Sequence, residues 1–449
     1  MSQTSHLGSA EPAGTPGTGG DATALAQGGL RPVPAGGGVG LAETPRAARI
    51  EVREPTLEEL VERSGLRRVH MLAWRDLDDP EAGGSELHAD KVAAAWAAAG
   101  VDVSMRTAHA PGHLPQATRN GYSVVRKAGR YAVFPRSAMS GALGHGGPWD
   151  GLVEIWNGMP FFSPVWAPCP RVVFLHHVHG EMWRMVLKPP LSQVGEALES
   201  TIAPPFYRRT RVLTLSESSR SEIIEMLRLP PANISVIPPG IDEHYAPLGE
   251  RSGHPMVLAV GRLVPVKRFD VLIDALVRLR EQHPTLEAVI VGEGYERPAL
   301  EARIRAAGAA EWLKLPGRVD DEGLLAYYRQ AWVLTSASAR EGWGMTITEA
   351  AACGTPSVVS NIAGHTDAVA DGLSGLLVEP CDLAGALGRV IGDQGLRDRL
   401  TAGALAHAAT FTWANTARRT FAALAQEAAK HRRRAPRPGG LDRLHGPLR

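Results

Sequence analysis

The stretch Glu341-Gly342-Trp343-Gly344-Met345-Thr346-Ile347-Thr348-Glu349 sets two carboxylates around two glycines, between an apolar run and a helical pattern. Glycine lets backbone N–H groups approach a ligand closely. A helix N-terminus at this place favours an anion such as a diphosphate. Each carboxylate can accept two hydroxyl hydrogen bonds, the chemistry that holds sugar and ribose diols. The same residues admit a structural reading: Thr346 and Glu349 have capping-box spacing, so Glu349 could cap a helix, and Glu341 could be a solvated loop acid. A second segment, Val260-Gly261-Arg262-Leu263-Val264-Pro265-Val266-Lys267, supplies two cations where a strand gives way to a helix. Arg262 would offer a diphosphate a planar fork and Lys267 a point charge. Ordinary surface charge is the alternative. A third segment, Gly83-Gly84-Ser85-Glu86, opens a helix after the first strand. It could bring backbone against a phosphate or an attacking hydroxyl, or could be a glycine turn with Ser85 as N-cap.

These residues need elements to position them. Short β-branched runs predict strands over 69–74, 101–107, 151–156, 171–176, 211–216 and 234–238, with a helix from Ser85 to Ala99 closed by Gly100. Paired strands are expected within 120–135. A second series predicts strands over 256–260, 286–291, 312–315, 332–336, 357–360 and 375–378. Helices are expected over 269–280, 298–307, 322–330 and 346–353. Two such runs on either side of 238–251 imply an α/β fold of two doubly wound sheets. Ligands of such sheets sit beyond the carboxyl ends of the strands, so two facing sheets place a ligand in the cleft between them.

The chain has 449 residues. Its first 45 hold eleven Gly and five Pro without apolar periodicity, so residues 1–45 read as a disordered tail. Residues 431–449 begin His431-Arg432-Arg433-Arg434 and read as a basic tail. Two domains follow: 66–245, expected on the acceptor side, and 246–410, expected to bind the nucleotide sugar. A closing helix, 411–430, is expected to pack back on the first domain. A net charge of +1 carries no global field for nucleic acid. Three cysteines without C-x-x-C spacing argue against a disulfide framework and a structural zinc. Met1 is not followed by a basic and then a long apolar stretch, so no signal peptide is expected. The expected compartment is the reducing cytoplasm. The segment 184–211 mixes apolar residues with Arg184, Lys188, Arg208, Arg209 and Arg211. It could rest on the inner face of an anionic membrane, or be a first-domain helix with basic ends.

Together, Glu341-x7-Glu349, Gly261-Arg262-x4-Lys267, Gly83-Gly84-Ser85-Glu86, Val291-Gly292-Glu293-Gly294 and Phe411-Thr412-Trp413 resemble glycosyltransferase family 4, retaining enzymes of the GT-B fold. Their order and spacing agree over residues 66–428. The resemblance implies two facing Rossmann-like domains and transfer of a hexosyl group from a nucleoside-diphosphate sugar to a hydroxyl acceptor, without a metal or other cofactor. It implies that Glu341 contacts the donor sugar, Glu349 the ribose, and Arg262 and Lys267 the diphosphate as it leaves. Gly83 and Gly84, and the backbone at Gly342, Trp343, Gly344, Met345 and Thr346, would hold donor phosphate and sugar. Arg318 and Val319 would take the base. A catalytic histidine after the strand Val172-Val173-Phe174-Leu175 maps to His176, although His177-Val178-His179 follow directly. Adjacent strand residues point to opposite faces, so His176 and His177 are not expected to share a metal ion. Asn157, His176 and Glu181 are placed on the acceptor or sugar side by position.

Three departures accompany the match. Trp343 stands where the family usually has Phe. Ala363-Gly364-His365-Thr366-Asp367 replaces Gly-Gly-x-x-Glu, leaving Asp367 without an assigned role. Asp76-Leu77-Asp78 mimics the metal triplet of the unrelated GT-A enzymes but reads here as solvated acids. Rival readings are a non-hydrolysing nucleotide-sugar epimerase of the same architecture and a sugar-binding protein without turnover. Gly292-Glu293-Gly294 also prompts a dinucleotide-dependent oxidoreductase, although Arg297 stands where the third glycine of that motif belongs.

Overall fold

Alternating β-branched runs and helical patterns fold as two parallel sheets in the computed structural model, which describes residues 53–145 and 147–434. The tail expected at 1–45, and the part of the basic tail beyond 434, lie outside the described residues. The first sheet comprises β1 (Arg68–Leu72), β2 (Asp102–Thr107), β3 (Gln116–Arg119), β4 (Tyr122–Arg126), β5 (Gly151–Trp156), β6 (Arg171–Leu175), β7 (Arg211–Thr214) and β8 (Ile234–Val236). Its order is β3-β4-β2-β1-β5-β6-β7-β8, parallel except that β3 runs antiparallel to β4. The second comprises β9 (Met256–Val260), β10 (Glu287–Val291), β11 (Leu313–Gly317), β12 (Val333–Ser336), β13 (Ser357–Ser360) and β14 (Gly375–Val378), in the order β11-β10-β9-β12-β13-β14. In each half the strand order reverses beside the first strand, the point where doubly wound sheets bind ligands.

Side chains alternate faces along each strand. On one face of the first sheet Val69, Met71, Val103 and Met105 are buried against Ala93 and Trp96 of the helix Gly84–Ala98. The last helix, Trp413–Arg434, lies on this same side: Trp96 Nε1 donates to Ala417 O at 3.0 Å, and the Phe421 ring meets Trp96 edge-on at 5.3 Å. One buried apolar cluster continues from these residues to Met256, Leu258, Tyr328 and Ile347 of the second half. The two halves accordingly belong to one compact unit that starts at Glu54.

Several expectations need correction. Residues 431–434 continue the last helix instead of starting a tail. Helices Leu57–Ser64, Leu383–Gly392 and Gln394–Ala408 carry no sequence-based assignment above. The paired strands fall at 116–126, and Val133–Ala142 is helical. Ser85 is not the N-cap of its helix. Gly83 is, and the Glu86 carboxylate accepts its N–H at 2.9 Å. Asp76 is no solvated acid: it is buried, accepting from Arg126 Nε at 2.7 Å and Thr107 Oγ1 at 3.0 Å. Asp78 pairs with Arg126 and Arg119. Among the described residues no helix is long and apolar enough to cross a membrane.

Candidate active site

The strands end short of the residues that matter, which leaves those residues in loops at the carboxyl edge. β9 ends at Val260, and Arg262 and Lys267 follow in a loop and a short 3₁₀ turn, Pro265–Lys267. β12 ends at Ser336, ahead of Glu341. The backbone ties these loops together, because Ala339 N–H donates to Val266 O at 2.8 Å. Lys267 Nζ then donates to Glu341 Oε1, and Ser338 Oγ donates to the same oxygen at 2.8 Å. Burial works to raise the Glu341 pKa, but the Lys267 charge and these hydrogen bonds outweigh it and hold the carboxyl below its usual range. Arg262 is exposed and forms no ion pair among the described residues. Its charge is felt by Glu81 and His177, which places it between the two halves.

Gly344, with φ of 102°, is the N-cap of the helix Met345–Ala352. Only glycine adopts that angle readily, and a methyl group here would also lie 2.8 Å from Ile347 Cδ1. The glycine turn of the first half meets this helix directly: a methyl on Gly84 would be 2.8 Å from Met345 Sδ. Gly342 faces the first half as well, where a methyl would be 3.2 Å from His176 O and 3.3 Å from His177 Nδ1. Trp343 is buried edge-on to Phe411 at 5.2 Å. Thr346 makes no capping box. Instead Glu349 is buried and accepts from Tyr328 Oη at 2.7 Å. Burial raises the Glu349 pKa to about 7, against the pull of that hydrogen bond.

The structure gives the two neighbouring histidines different surroundings. The His176 ring packs inward, edge-on to His88 at 5.1 Å and beside Phe174 at 5.0 Å, with no partner on either nitrogen among the described residues. His177 is the ring that shares its field with Glu341, Arg340 and Arg262. Burial lowers its pKa to about 4, so it is neutral at physiological pH, and its Nε2 has no partner among the described residues. Asn157 Nδ2 donates to Ser85 Oγ at 3.1 Å beside the glycine turn, whereas Glu181 is exposed. Arg318 is exposed and Val319 half-buried, and Arg318 Nη2 reaches Pro80 O at 3.4 Å. Gly292 and Gly294 have a packing role: methyl groups there would lie 1.9 Å from Gly261 O and 2.2 Å from Leu263 O. That close approach explains both glycines without a dinucleotide.

Two residues to which the sequence assigned no role, Arg340 and Asp367, lock the halves together. Arg340 Nη2 donates to Val178 O and to Glu222, both at 2.8 Å. Asp367 Oδ1 accepts from Glu217 N–H at 2.8 Å, at the N-terminus of the helix Glu217–Leu227 in the first half. Ser218 Oγ of that helix accepts from Gly364 N–H at 2.9 Å, and Ser216 Oγ donates to Gly342 O at 3.3 Å. An isolated arginine and an isolated aspartate carry no periodic signal that names such partners.

A family model described as Glycosyltransferase Family 4 matches residues 82–245, and one described as Glycosyl transferases group 1 matches residues 240–406. The chain is 33% identical over 260 residues to a D-inositol 3-phosphate glycosyltransferase of Kribbella flavida, a match covering 53% of this chain and 60% of that relative. It is 38% identical over 231 residues to one of Stackebrandtia nassauensis, covering 46% and 52%. The chain thus matches less than two thirds of the length of these relatives. Among solved structures, Anabaena HepE in complex with UDP-glucose is similar in fold, with a TM-score of 0.61 over 81% of this chain and 98% of that chain at 18% identity.

Proposed function

Because this chain belongs to glycosyltransferase family 4 and has the GT-B fold, we propose that it is an enzyme moving a hexosyl group from a nucleoside-diphosphate sugar to a hydroxyl acceptor, with retention. The observation that carries the reading is the Lys267–Glu341 pair beside the Gly344 cap, with an unpaired Arg262 at the same edge. Two cations and a helix N-terminus suit a diphosphate. Glu341, kept ionised, suits a sugar hydroxyl, as does the open Nε2 of neutral His177. In this reading Glu349 holds the ribose, and Arg318 and Val319 border the base. Gly83, Gly84, Gly342 and Trp343 shape the donor pocket, and His176 lies next to His177 with its own ring packed on His88 and Phe174.

The bond from the anomeric carbon to phosphate oxygen breaks, and its electron pair leaves with the diphosphate. The acceptor oxygen attacks from the same face, and its proton passes to the departing phosphate. Arg262 and Lys267 stabilise the charge that develops, so no metal is needed. Relatives named for D-inositol 3-phosphate make a phosphorylated cyclitol a natural acceptor to try. The first half also exposes Leu191, Val194, Ile202 and Phe206 near basic residues, which suits peripheral contact with an anionic membrane on the cytoplasmic side. Sedimentation with anionic but not neutral vesicles tests that contact.

The main test incubates the protein with UDP-, GDP- and ADP-sugars, an acceptor panel and EDTA, and measures nucleoside diphosphate release. Turnover of one donor, undiminished by EDTA, is expected. Lys267→Ala should lower that turnover about 10²–10³-fold, the usual effect of removing one transition-state donor. No binding or turnover of any donor with any acceptor sinks the reading.

A further inference from the structure

The face of the first sheet beneath the helix Val133–Ala142 is not apolar. Leu72 and Leu152 fill one end of it, but His70, Ser104, Arg106 and Lys127 occupy the rest and line a cavity of about 570 Å³. A parallel-sheet face covered by a helix is ordinarily a continuous apolar run. The helix answers with Arg136, Met139 and Ser140, spaced three and four apart and so on one face, and Leu143 follows at its C-cap. Among the described residues, no Asp or Glu lines the cavity, and neither does any residue of the second half.

Arg106 is largely buried, and its Nε has no hydrogen-bond partner among the described residues. Among the described residues, Arg106, Lys127 and Arg136 take part in no ion pair. Burial and the neighbouring Arg136 both push the Arg106 guanidinium below its ordinary pKa. A partly desolvated guanidinium beside a second cation, with no carboxylate lining the cavity, favours an anion arriving from outside. Beside this charge the Trp149 indole stacks on the His70 ring, with centroids 4.3 Å apart and planes 5° from parallel. His70 itself is fixed by a 2.7 Å hydrogen bond to Ser104 Oγ. The cavity therefore joins a cationic end to a flat aromatic wall.

We infer that this cavity is a second binding site, separate from the donor cleft, for a phosphate monoester carried on a sugar- or polyol-sized body. Arg106, Arg136 and Lys127 take the phosphate by charge-assisted hydrogen bonds. The Trp149 side takes the ring. The phosphate could arrive on a free sugar phosphate or on a lipid headgroup, since Met139 and Leu143 are exposed at the rim. The inference stands independently of the donor reading.

Calorimetric titration of the full chain with glucose 6-phosphate, with glucose as control, tests it. Flotation with phosphatidylcholine vesicles, with and without phosphatidic acid, covers the lipid source. Saturable binding to either phosphate-bearing probe and none to glucose is expected. The double variant Lys127→Ser/Arg136→Ser changes two exposed side chains, so its fold should hold, and it should weaken binding at least about tenfold. Arg106→Met, which keeps most of the side-chain volume, should abolish binding without lowering the melting temperature. The cleft variant Lys267→Met should bind like the parent. Absence of saturable binding to both phosphate probes overturns the inference. So does binding that survives the double variant but is lost in Lys267→Met, because the phosphate is then in the cleft.

Discussion

Glu341 and Glu349 lie on one short segment, yet the fold drives their protonation in opposite directions. Lys267 holds Glu341 ionised, while Glu349 is buried with only the Tyr328 hydroxyl and titrates near 7. A carboxyl whose folded pKa lies above its unfolded value of about 4.5 binds more protons when folded. Its contribution to stability is therefore fully present below pH ~4.5 and is lost as pH rises to about 7. The loss is on the order of 3 kcal/mol. Glu349→Gln should remove that slope and raise the melting temperature at pH 8. If Glu349 holds a ribose diol, donor hydroxyls favour the ionised form. Donor affinity should then rise between pH 6 and 8 in the parent and stay flat and weaker in the variant. An affinity unchanged in the variant removes Glu349 from the site. The pairings behind this contrast were not legible in sequence. Lys267 and Glu341 are 74 residues apart, and Tyr328 lies on another helix. What could be read was the type of residue and its place after a strand.

Strand and helix order was largely legible, because β-branched runs and helical periods are local signals. The misses also have local causes. The helix Leu383–Gly392 carries Gly385 and Gly388 in its interior, which weakens its intrinsic signal. It is held by burial of Leu387, Val390 and Ile391 and by close packing of Gly388 on Leu279. Asp367 shows a contact between elements that no single element announces. It departs from the family's glutamate, and it accepts N–H groups at the start of the helix Glu217–Leu227, where a negative charge also meets the positive end of the helix dipole. Asp367→Ala should cost about 1–2 kcal/mol and Asp367→Asn less, read as shifts in thermal midpoint. Equal, negligible shifts in both variants would show that the cap does not contribute.

At the scale of the molecule, the two sheets lie within one compact unit that starts at Glu54. The stretch 238–251 between the two strand–helix runs crosses from one sheet to the other, and a buried cluster spans that crossing. The last helix follows the second half along the chain and packs against the first. It buries Ala417, Thr420, Phe421 and Leu424, and a methyl on Gly151 of β5 would stand only 3.0 Å from Leu424 Cδ2. The same buried cluster runs on through Met256 and Leu258 to the helix bearing Glu349. Loss of packing at Phe421 is therefore transmitted to both sheets. Phe421→Ala removes a fully buried ring against Trp96 and should cost about 3–5 kcal/mol. In calorimetry the parent should unfold in a single transition, and the variant should move that whole transition downward. Two resolved transitions in the variant, with only the lower one displaced, would show that the halves unfold separately. The donor cleft would then lie between independently stable bodies, and Arg340, Asp367 and the Ser216–Gly342 bond would only latch them, without being part of a shared core.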